Sequence, residues 1–367
     1  MPRNPTASRE AVTREKVAWL ADPCHYGRLR RPVEIIETHF AWVFLAGDRA
    51  YKLKKPLRQG SMDHRTLARR ERACRDELRL NRRLAPHVYL RVVPLRRDRQ
   101  GSFSLRPAAG ARVTDWLVEM RRLPAARMLD RLIAARGLRP ADLDGLVAVL
   151  AAFFRHALRR PLTDAAYRER LCREIRRNAD ELIASDLGLS RSKLVSLAEA
   201  QLAFVGRHPR TLAGRGARLL DGHGDLRPEH VFLGTSSMRA CVIDCLEFDR
   251  DLRRLDPAEE VAFLALECER LGAAAAADGL LARYRRAAGD PAPPMLIQFY
   301  MSRRAAVRAQ IAAWHLRDPA FAGEARAWKA RADSYLADAL RHIHRAVASD
   351  QAWRRNRAAE PRPAQIR

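Results

Sequence analysis

The sequence contains no apolar run long enough to cross a membrane. Its longest uninterrupted apolar segment, LVAVLAAFF at 146–154, is far shorter than the about 20 residues that a membrane-spanning helix requires. The amino-terminal stretch MPRNPTASREAVTREKVAWL carries positive charge but lacks the apolar core of a secretory signal. We therefore expect a cytoplasmic protein with no membrane partner.

Cysteine is scarce and is not spaced as in a metal or redox motif. No C-x-x-C pair occurs, which argues against a zinc site, and reduced thiols are the simplest account. Cys241 and Cys245 bracket the apolar segment VID, so we expect both in a buried strand. The other cysteines are Cys24, Cys74, Cys172 and Cys268.

Acidic residues are too few to balance the basic ones. Lys and Arg number 69 against 43 Asp and Glu, which gives a net charge of +26, so a polyanion such as nucleic acid has to be considered as a partner. The excess is mostly arginine and is spread from end to end, whereas a groove-binding surface gathers its charge on one face. Compositional bias is the simpler interpretation. The alternative, nucleic-acid binding, would weaken steeply with salt.

The apolar pattern changes character once along the chain. Short alternating runs at 33–58, broken near Gly47, predict antiparallel strands with a tight turn. A helical pattern then begins at a predicted cap, Asp63. After Pro124 helical periodicity dominates, except for a β-rich island at 220–248 that contains one hairpin. This order predicts an α+β fold with a small α/β lobe followed by a larger helical lobe.

Two aspartates in the β-rich island stand 19 residues apart: Asp225 in HGDLRPEH and Asp244 in CVIDCLEFD, with 244 − 225 = 19. In protein kinases the catalytic loop H-R-D-L-x-x-x-N supplies a base and a metal-binding Asn, and a second Asp, one strand later, holds Mg²⁺. The order His223, Asp225, Asp244 is the same, with His230 at the Asn position. Either aspartate alone would be typical of a turn, but their spacing and shared context favour a site.

The HGDL motif, the hydrophobic-Asp strand and the downstream Asp256-Pro257 resemble the aminoglycoside phosphotransferase and choline-kinase branch of the kinase-like fold. The segments ETHFAWVFLAGDRAYKLKKP, DELRLNRRLAP and WLVEMRRLP resemble bacterial aminoglycoside phosphotransferase-like proteins often fused to a P-loop ATPase domain. The resemblance covers roughly residues 30–345. No G-x-x-x-x-G-K-[ST] occurs, so the resemblance implies the kinase-like module alone, with a functional link to a separate P-loop ATPase domain.

The resemblance implies a protein-kinase-like two-lobed fold with a small antiparallel sheet and a helix in the N-lobe and a large, mainly helical C-lobe. It implies an ATP-dependent phosphotransferase that uses ATP or another NTP with Mg²⁺ or Mn²⁺ and acts on a hydroxyl of a small molecule. The expected divisions are a helical extension at 1–30, the N-lobe at 31–118, the C-lobe with the catalytic loop at 119–348 and a polar tail at 349–367.

The resemblance assigns roles to the residues of the two motifs. Asp225 would be the base that accepts the proton of the acceptor hydroxyl. Asp244 would bind the metal that bridges the nucleotide phosphates, and His223 would orient the loop by hydrogen bonding. His230 replaces the metal-binding Asn; its position in the motif favours a place in the metal site, whereas a polar-loop histidine alone would be a hydrogen-bonding residue.

A lysine for the phosphates is expected from the segment AYKLKKP. Because strand residues two apart share a face, Ala50, Lys52 and Lys54 should point one way and Lys55 the other. The kinase-like arrangement favours Lys52, with Lys54 in reserve. Its helix partner should be Glu77, with Glu71 as the second choice.

Two segments are expected around the nucleotide. Trp116–Met120 would connect the lobes and offer main-chain groups, including those of Glu119 and Met120, to the adenine. No glycine-rich loop stands between the first strands, where IETHFAW occurs instead, and Thr38 and His39 would cover the phosphates. The missing glycine loop and the altered Asn favour an alternative, a nucleotide-binding pseudokinase or regulatory module, which ATP turnover would distinguish from a kinase.

Overall fold

The computed structural model describes residues 5–27, 29, 31–184, 188–317 and 323–359. The helices are α1 Pro5–Ala21, α2 Leu67–Asn81, α3 Leu129–Ala134, α4 Asp142–His156, α5 Asp164–Ile183, α6 Arg191–Arg207, α7 Pro209–Leu212, α8 Pro257–Arg270, α9 Ala274–Ala288, α10 Pro294–Leu316 and α11 Ala325–Ala359. The strands are β1 Glu34–Glu37, β2 Ala41–Ala46, β3 Arg49–Lys54, β4 Arg58–Gln59, β5 Met62–Asp63, β6 Tyr89–Arg97, β7 Phe103–Ser104, β8 Arg112–Arg121, β9 Leu220–Asp221, β10 Val231–Phe232, β11 Cys241–Val242 and β12 Arg254–Leu255.

The first of two compact units contains the described residues up to Arg131 together with Glu229–Leu252. Its main sheet has the strand order β1-β2-β3-β8-β6-β7 and every pairing is antiparallel. The predicted tight turn joins β2 to β3 at Gly47, whose φ of 60° lies in the left-handed region that favours glycine. Helix α2 packs on β6 and β8 and buries Cys74 in a core with Val118 and Met120.

Helix α2 begins at Thr66 and not at the predicted cap. The Thr66 side chain accepts a hydrogen bond from the backbone N–H of Arg69, which satisfies one of the free donors of the first turn. Asp63 is the last residue of strand β5 and accepts from the backbone and side chain of Arg65 instead. The prediction of Asp63 as the cap is therefore wrong by three residues.

The second unit contains the described residues from Leu132 to Pro228 and from Arg253 onward, and it is mainly helical. Its most buried helix is α8, in which every residue from Pro257 to Cys268 is buried. The N-cap Asp256 accepts from the N–H of Ala258 and also binds the guanidinium of Arg215 at 2.6 and 2.5 Å. Arg215 binds Asp290 as well. Charge-assisted hydrogen bonds therefore fix the start of α8 at the predicted Asp256-Pro257 pair.

The combination of an antiparallel sheet unit with a helical unit confirms the predicted α+β class. The β-rich island is confirmed by β9 and by the antiparallel hairpin β10–β11. Cys241 and Cys245 are both fully buried and form no disulfide. Cys241 lies in strand β11 as expected, whereas Cys245 lies in the loop that follows it. None of the described helices combines the length and apolarity that crossing a membrane demands.

The predicted domain limits stay predictions, but three elements bear on them. Helix α1 lies in the predicted extension, and its Lys16 binds Asp115 of strand β8 at 2.8 Å. The predicted limit at 118 falls inside β8. The predicted tail at 349 begins within α11, which continues to Ala359. Residues 1–4 and 360–367 lie outside the described residues.

Candidate active site

A charged cluster in the first unit joins the residues predicted for the phosphates and the metal. The Lys52 Nζ atom lies 2.5 Å from Oδ1 of Asp244 and 3.0 Å from Oε1 of Glu77. Strand β3 supplies the lysine, helix α2 the glutamate and the loop after β11 the aspartate. These three side chains meet although they are distant in the sequence, and Glu77 contacts Lys52 as its expected helix partner.

Lys54 lies on the same face of β3, as the alternation of the strand predicted. Its Nζ atom is 2.6 Å from Oε2 of Glu77 and 2.5 Å from Oε1 of Glu247, and its side chain is 2% exposed. Lys55 points away and pairs with Glu37 at the surface. The second-choice glutamate, Glu71, pairs with Arg75 on the exposed side of α2, so it is not part of this cluster.

The contacts within the cluster favour the charged forms of Lys52, Lys54, Glu77 and Asp244. Burial opposes ionisation of Asp244, but Lys52 and His230 outweigh it and hold the pKa of that carboxyl well below its usual range. Burial likewise opposes the charge on Lys52 and on Lys54, while the adjacent carboxylates raise the pKa of both ammonium groups. Glu77 is kept ionised by the same two lysines, which lower its pKa against the effect of burial.

The loop that carries Asp244 is held in an unusual backbone conformation. Asp244 has a φ of 61°, a region that non-glycine residues seldom adopt. Its N–H donates to the hydroxyl of Tyr89 at 3.2 Å, and the next N–H, of Cys245, donates to the side-chain oxygen of Asn81 at 2.8 Å. Strand β6 and helix α2 therefore fix the direction of the Asp244 side chain, which is 42% exposed.

His230 lies beside the carboxylate that the metal role requires. Its Nε2 atom is 3.7 Å from Oδ2 of Asp244, and its main-chain oxygen accepts from Ile243 at 2.9 Å. Among the described residues no group of three or more His, Cys, Asp or Glu side chains is arranged to hold a metal by itself. One carboxylate with one neighbouring imidazole still suits Mg²⁺ or Mn²⁺ carried by a nucleotide, because such ions take most of their ligands from phosphates and water.

The turn between β1 and β2 stands where the kinase-like pattern has a glycine-rich loop, which this sequence lacks. The Thr38 hydroxyl oxygen lies 3.0 Å from both N and O of Ala41 and closes the turn. His39 Nε2 lies 2.7 Å from Oε1 of Gln59 at the end of β4. The role of Thr38 and His39 over phosphates stays a prediction.

The interpretation of 116–120 as a connector is wrong. These residues belong to β8, an inner strand between β3 and β6. Met120 pairs with Ala50 on one side and Tyr89 on the other, and Glu119 with Tyr51 and Arg91. Most main-chain groups of an inner strand bond to its neighbours, and the expected adenine contacts from Glu119 and Met120 stay a prediction.

The predicted catalytic loop lies in the second unit and is hydrogen-bonded to helix α8. The N–H groups of His223 and Gly224 donate to the carboxylate of Glu260 at 2.8 and 2.6 Å. A Cβ atom at Gly222 would come within 2.6 Å of that carboxylate, so only glycine permits this approach. His223 is fully buried and its Nδ1 accepts from the N–H of Asp225 at 3.2 Å; its orienting role stays a prediction.

Asp225 is contacted by an arginine of its own loop. Nε of Arg227 lies 3.1 Å from the Asp225 carboxylate, and the two side chains are 19% and 24% exposed. From helix α10, Arg304 donates to the main-chain oxygen of Gly224 at 3.0 Å. A partly exposed carboxylate in a loop fixed on both sides has the accessibility that a base for a bound hydroxyl requires.

No family model matches the chain. An uncharacterized protein of Mycobacterium tuberculosis, strain H37Rv, is 35% identical over 290 residues, which is 76% of this chain and 54% of that protein. An uncharacterized protein of Mycobacterium bovis gives the same values. The chain thus spans about half the length of the curated relatives it matches.

Two solved structures share the architecture. Plasmodium vivax ethanolamine kinase matches with a TM-score of 0.50 and 10% identity over 84% of this chain and 81% of that chain. Choline kinase from Cryptosporidium parvum matches with a TM-score of 0.50 and 8% identity over 87% and 90% of the two chains. The chain has the kinase-like fold of these two structures.

Several residues of the site were not predicted from the sequence. Glu247 and Glu260 have no motif of their own, although Glu247 follows Asp244 by three residues and Glu260 follows Asp256 by four. Tyr89 and Asn81 resembled ordinary core residues. Their roles depend on contacts with distant segments, which no local pattern encodes.

Proposed function

We propose that the kinase-like chain is an ATP-dependent phosphotransferase that transfers a phosphoryl group to a hydroxyl of a small molecule. The observation that carries the proposal is the Lys52–Glu77–Asp244 cluster, in which one half-buried ammonium lies between a helix glutamate and a loop aspartate. Phosphoryl transfer depends on positioning and on neutralising phosphate charge more than on covalent chemistry. This cluster offers a cation for phosphates and a carboxylate for a metal.

Each of the two units, described separately, would supply different groups for the reaction. In the first unit Lys52 would bind nucleotide phosphates, and Glu77 would hold the ammonium in place. In the second unit Asp225 would accept the proton of the acceptor hydroxyl, a contribution of about 10²–10⁴-fold to the rate. The bonds from His223 and Gly224 to Glu260 would keep the loop in position for that step.

Asp244 would hold Mg²⁺ or Mn²⁺, with His230 beside it, and the metal would supply charge neutralisation at the phosphates when bound. The fit rests on the Asp244 carboxylate, because its side chain is partly exposed and its lowered pKa keeps it ionised. Once phosphates bind Lys52, this carboxylate would be available to the metal. Its fixed backbone conformation means that little reorganisation would accompany metal binding.

A second candidate, a nucleotide-binding regulatory module without turnover, is favoured by the β1–β2 turn. Thr38, His39 and Phe40 stand where kinases place glycines, and the His39 side chain is engaged with Gln59. Flexible glycine backbone normally approaches the phosphates closely. The turn of this chain would have to contact them through side chains instead.

Measuring ADP formation from ATP over a collection of hydroxyl-bearing metabolites tests the proposal. We expect acceptor-dependent ADP formation that requires Mg²⁺ or Mn²⁺. Nucleotide binding without ADP formation for any acceptor would favour the regulatory module. Absence of nucleotide binding with either metal would contradict both candidates.

The curated relatives extend well beyond the region they share with this chain. We infer that the kinase-like chain works with a further domain, and the resemblance makes a P-loop ATPase domain the candidate. The acceptor would be a cytoplasmic metabolite. Co-purification of the kinase-like chain with a tagged P-loop ATPase from the same cells, reversed by excess untagged chain, tests the partnership.

A further inference from the structure

Helix α10 presents two arginines, one helical turn apart, whose charges are not matched by nearby carboxylates. Within the described part of the chain, no Asp or Glu oxygen lies within 4.0 Å of a guanidinium nitrogen of Arg304 or Arg308. The Nε atom of each is buried and has no hydrogen-bond partner among the described residues. Two such donors on one helix face are an unusual arrangement, because buried cations are normally paired.

Arg304 adjoins the loop that carries Asp225. It donates to the main-chain oxygen of Gly224 at 3.0 Å, and its guanidinium carbon lies 4.2 Å from the ring centroid of Phe263. Burial lowers the pKa of Arg304, and the carboxylates of Glu259, Asp225 and Glu260 offset that effect only in part. The guanidinium of Arg304 therefore lies next to the loop of the predicted base, and the nearby carboxylates only partly offset the cost of burying its charge.

The acidic residues near Arg304 and Arg308 make their hydrogen bonds and ion pairs with other groups. Glu259 binds Arg303 at 3.0 Å, and Glu260 accepts the N–H groups of His223 and Gly224. Glu267, on the next turns of α8, accepts from the hydroxyl of Tyr335 at 3.0 Å. None of these three carboxylates is arranged as a salt-bridge partner for Arg304 or Arg308.

Arg308 and Arg227 add positive charge near another carboxylate of the second unit, Glu267. The Arg308 guanidinium lies 5.6 Å from the ring centroid of Tyr335, and both Arg308 and Arg227 act electrostatically on Glu267. Arg304, Arg308 and Arg227 thus each act on the carboxylate of Asp225 or of Glu267. A cationic acceptor would be repelled here, whereas a carboxylate or phosphate would find planar donors suited to bidentate binding.

We propose that Arg304 and Arg308 bind an anionic group, a carboxylate or a phosphate, of the hydroxyl-bearing acceptor whose proton Asp225 removes. The proposal rests on the proposed phosphotransferase function and assigns its acceptor to the anionic hydroxyl compounds. Arg304 would anchor the anion beside the loop, and Arg308 would bind it from the next turn of α10. This narrows the expected acceptor from any hydroxyl-bearing small molecule to an anionic one.

Titration of the full chain with inorganic phosphate and, separately, with malonate tests the binding step without turnover. The titrations are done by calorimetry at constant ionic strength in a Lys52→Met background, so that the proposed nucleotide-phosphate site contributes little. We expect saturable binding of phosphate, malonate or both, weakened at least about 10-fold by Arg304→Met and by Arg308→Met. The anion that binds tells a phosphate-bearing acceptor from a carboxylate-bearing one.

Arg345→Met is the matched control, because Arg345 is half exposed on α11 and pairs loosely with Glu269. It removes the same charge from the same unit and should change anion affinity less than about twofold. Arg304→Lys keeps the charge and should retain part of the binding. If Arg304→Met fails to fold, the Arg308→Met comparison still decides.

Anion affinities unchanged in the Arg304 and Arg308 variants, or no anion binding in the Lys52→Met parent, would overturn the proposal. A metabolite screen that finds only neutral or cationic acceptors would also overturn it, while leaving the phosphotransferase function intact. A screen without any turnover would count against the phosphotransferase function, and the anion titrations would still decide whether the arginines form a site.

Discussion

Lys52 of strand β3 and Asp244 of the loop after β11 form an ion pair, with 2.5 Å between Nζ and Oδ1, although 192 positions separate them in the sequence. Glu77 shares the same ammonium at 3.0 Å. One cation thus links a strand, a helix and a loop of the first unit. Nucleotide phosphates that bind Lys52 would release Asp244 from this pair and leave its carboxylate available to a metal.

Lys52→Met should weaken the binding of a non-hydrolysable ATP analogue at least about 10-fold, because a charge-assisted contact to phosphate is lost. Lys55→Met is the control, since Lys55 lies one residue past the strand and pairs with Glu37 at the surface. Lys55→Met should leave the affinity for the ATP analogue almost unchanged. Equal effects of the two substitutions in an equilibrium titration would contradict the assignment of Lys52.

Lys54→Met should lower the free energy of unfolding by about 3–5 kcal/mol, the usual cost of breaking a buried ion pair from one side. The reason is that Glu247 and Glu77 would keep their charges in a site where Lys54 is 2% exposed. Urea denaturation of Lys54→Met, Glu247→Gln and the double variant measures the coupling. The double variant should lose less than the sum of the single losses; strictly additive losses would show that the two residues do not interact.

His230 tests the metal site. An imidazole nitrogen is a poor ligand for Mg²⁺ and a better one for Mn²⁺, and His230 lies 3.7 Å from Asp244. We expect the wild type to bind ATP with Mn²⁺ at least as well as with Mg²⁺, and His230→Asn to shift the preference toward Mg²⁺. Identical preferences in titrations of both proteins with each metal would remove His230 from the metal site.

His64 should make the protein sensitive to mild acid. Burial, reinforced by Lys54, lowers the pKa of His64 to about 4, below the unfolded value of about 6.5. The unfolded state therefore binds the proton more readily between these values, so stability is fully present above about pH 6.5 and falls as the pH drops toward about 4.

The comparison with His64→Leu isolates this contribution. Between pH 7 and pH 4.5 the wild type should lose about 2.4 kcal/mol more unfolding free energy than the variant, because about 1.36 kcal/mol is lost for each pH unit between the two pKa values and pH 4.5 lies above the lower one. Urea denaturation at both pH values measures the difference. Parallel losses in the two proteins would mean that His64 does not stay neutral in the fold.

The parts of the site that were predictable from sequence are those with local periodicity or a compact motif. Alternation along AYKLKK placed Lys52 and Lys54 on one face and Lys55 on the other, because a strand repeats every two residues. The HGD motif located the loop that carries Asp225. The structure adds Gly222, just before the motif, where a Cβ atom would come within 2.6 Å of the Glu260 carboxylate.

The parts that were missed depend on contacts between distant segments. Nothing near Glu247 indicates that it meets a lysine 193 positions away, nor does the α10 sequence show that Arg304 reaches the Gly224 carbonyl. The connector was misplaced because WLVEM has the composition of either an inner strand or an interlobe segment, and only the pairing of β8 with β3 and β6 decides between them. The cap of α2 was misplaced because Asp63 and Thr66 are both good cap residues.

Substitution of Asp225 by Asn, with turnover and nucleotide affinity measured on the same protein, tests the central claim most directly. The base acts on the acceptor and has little contact with the nucleotide, so ADP formation with any acceptor found for the wild type should fall by about 10²-fold or more. The affinity for the ATP analogue should stay within about twofold. A variant that retains wild-type turnover would contradict the assignment of Asp225 as the base and with it the proposed catalytic loop.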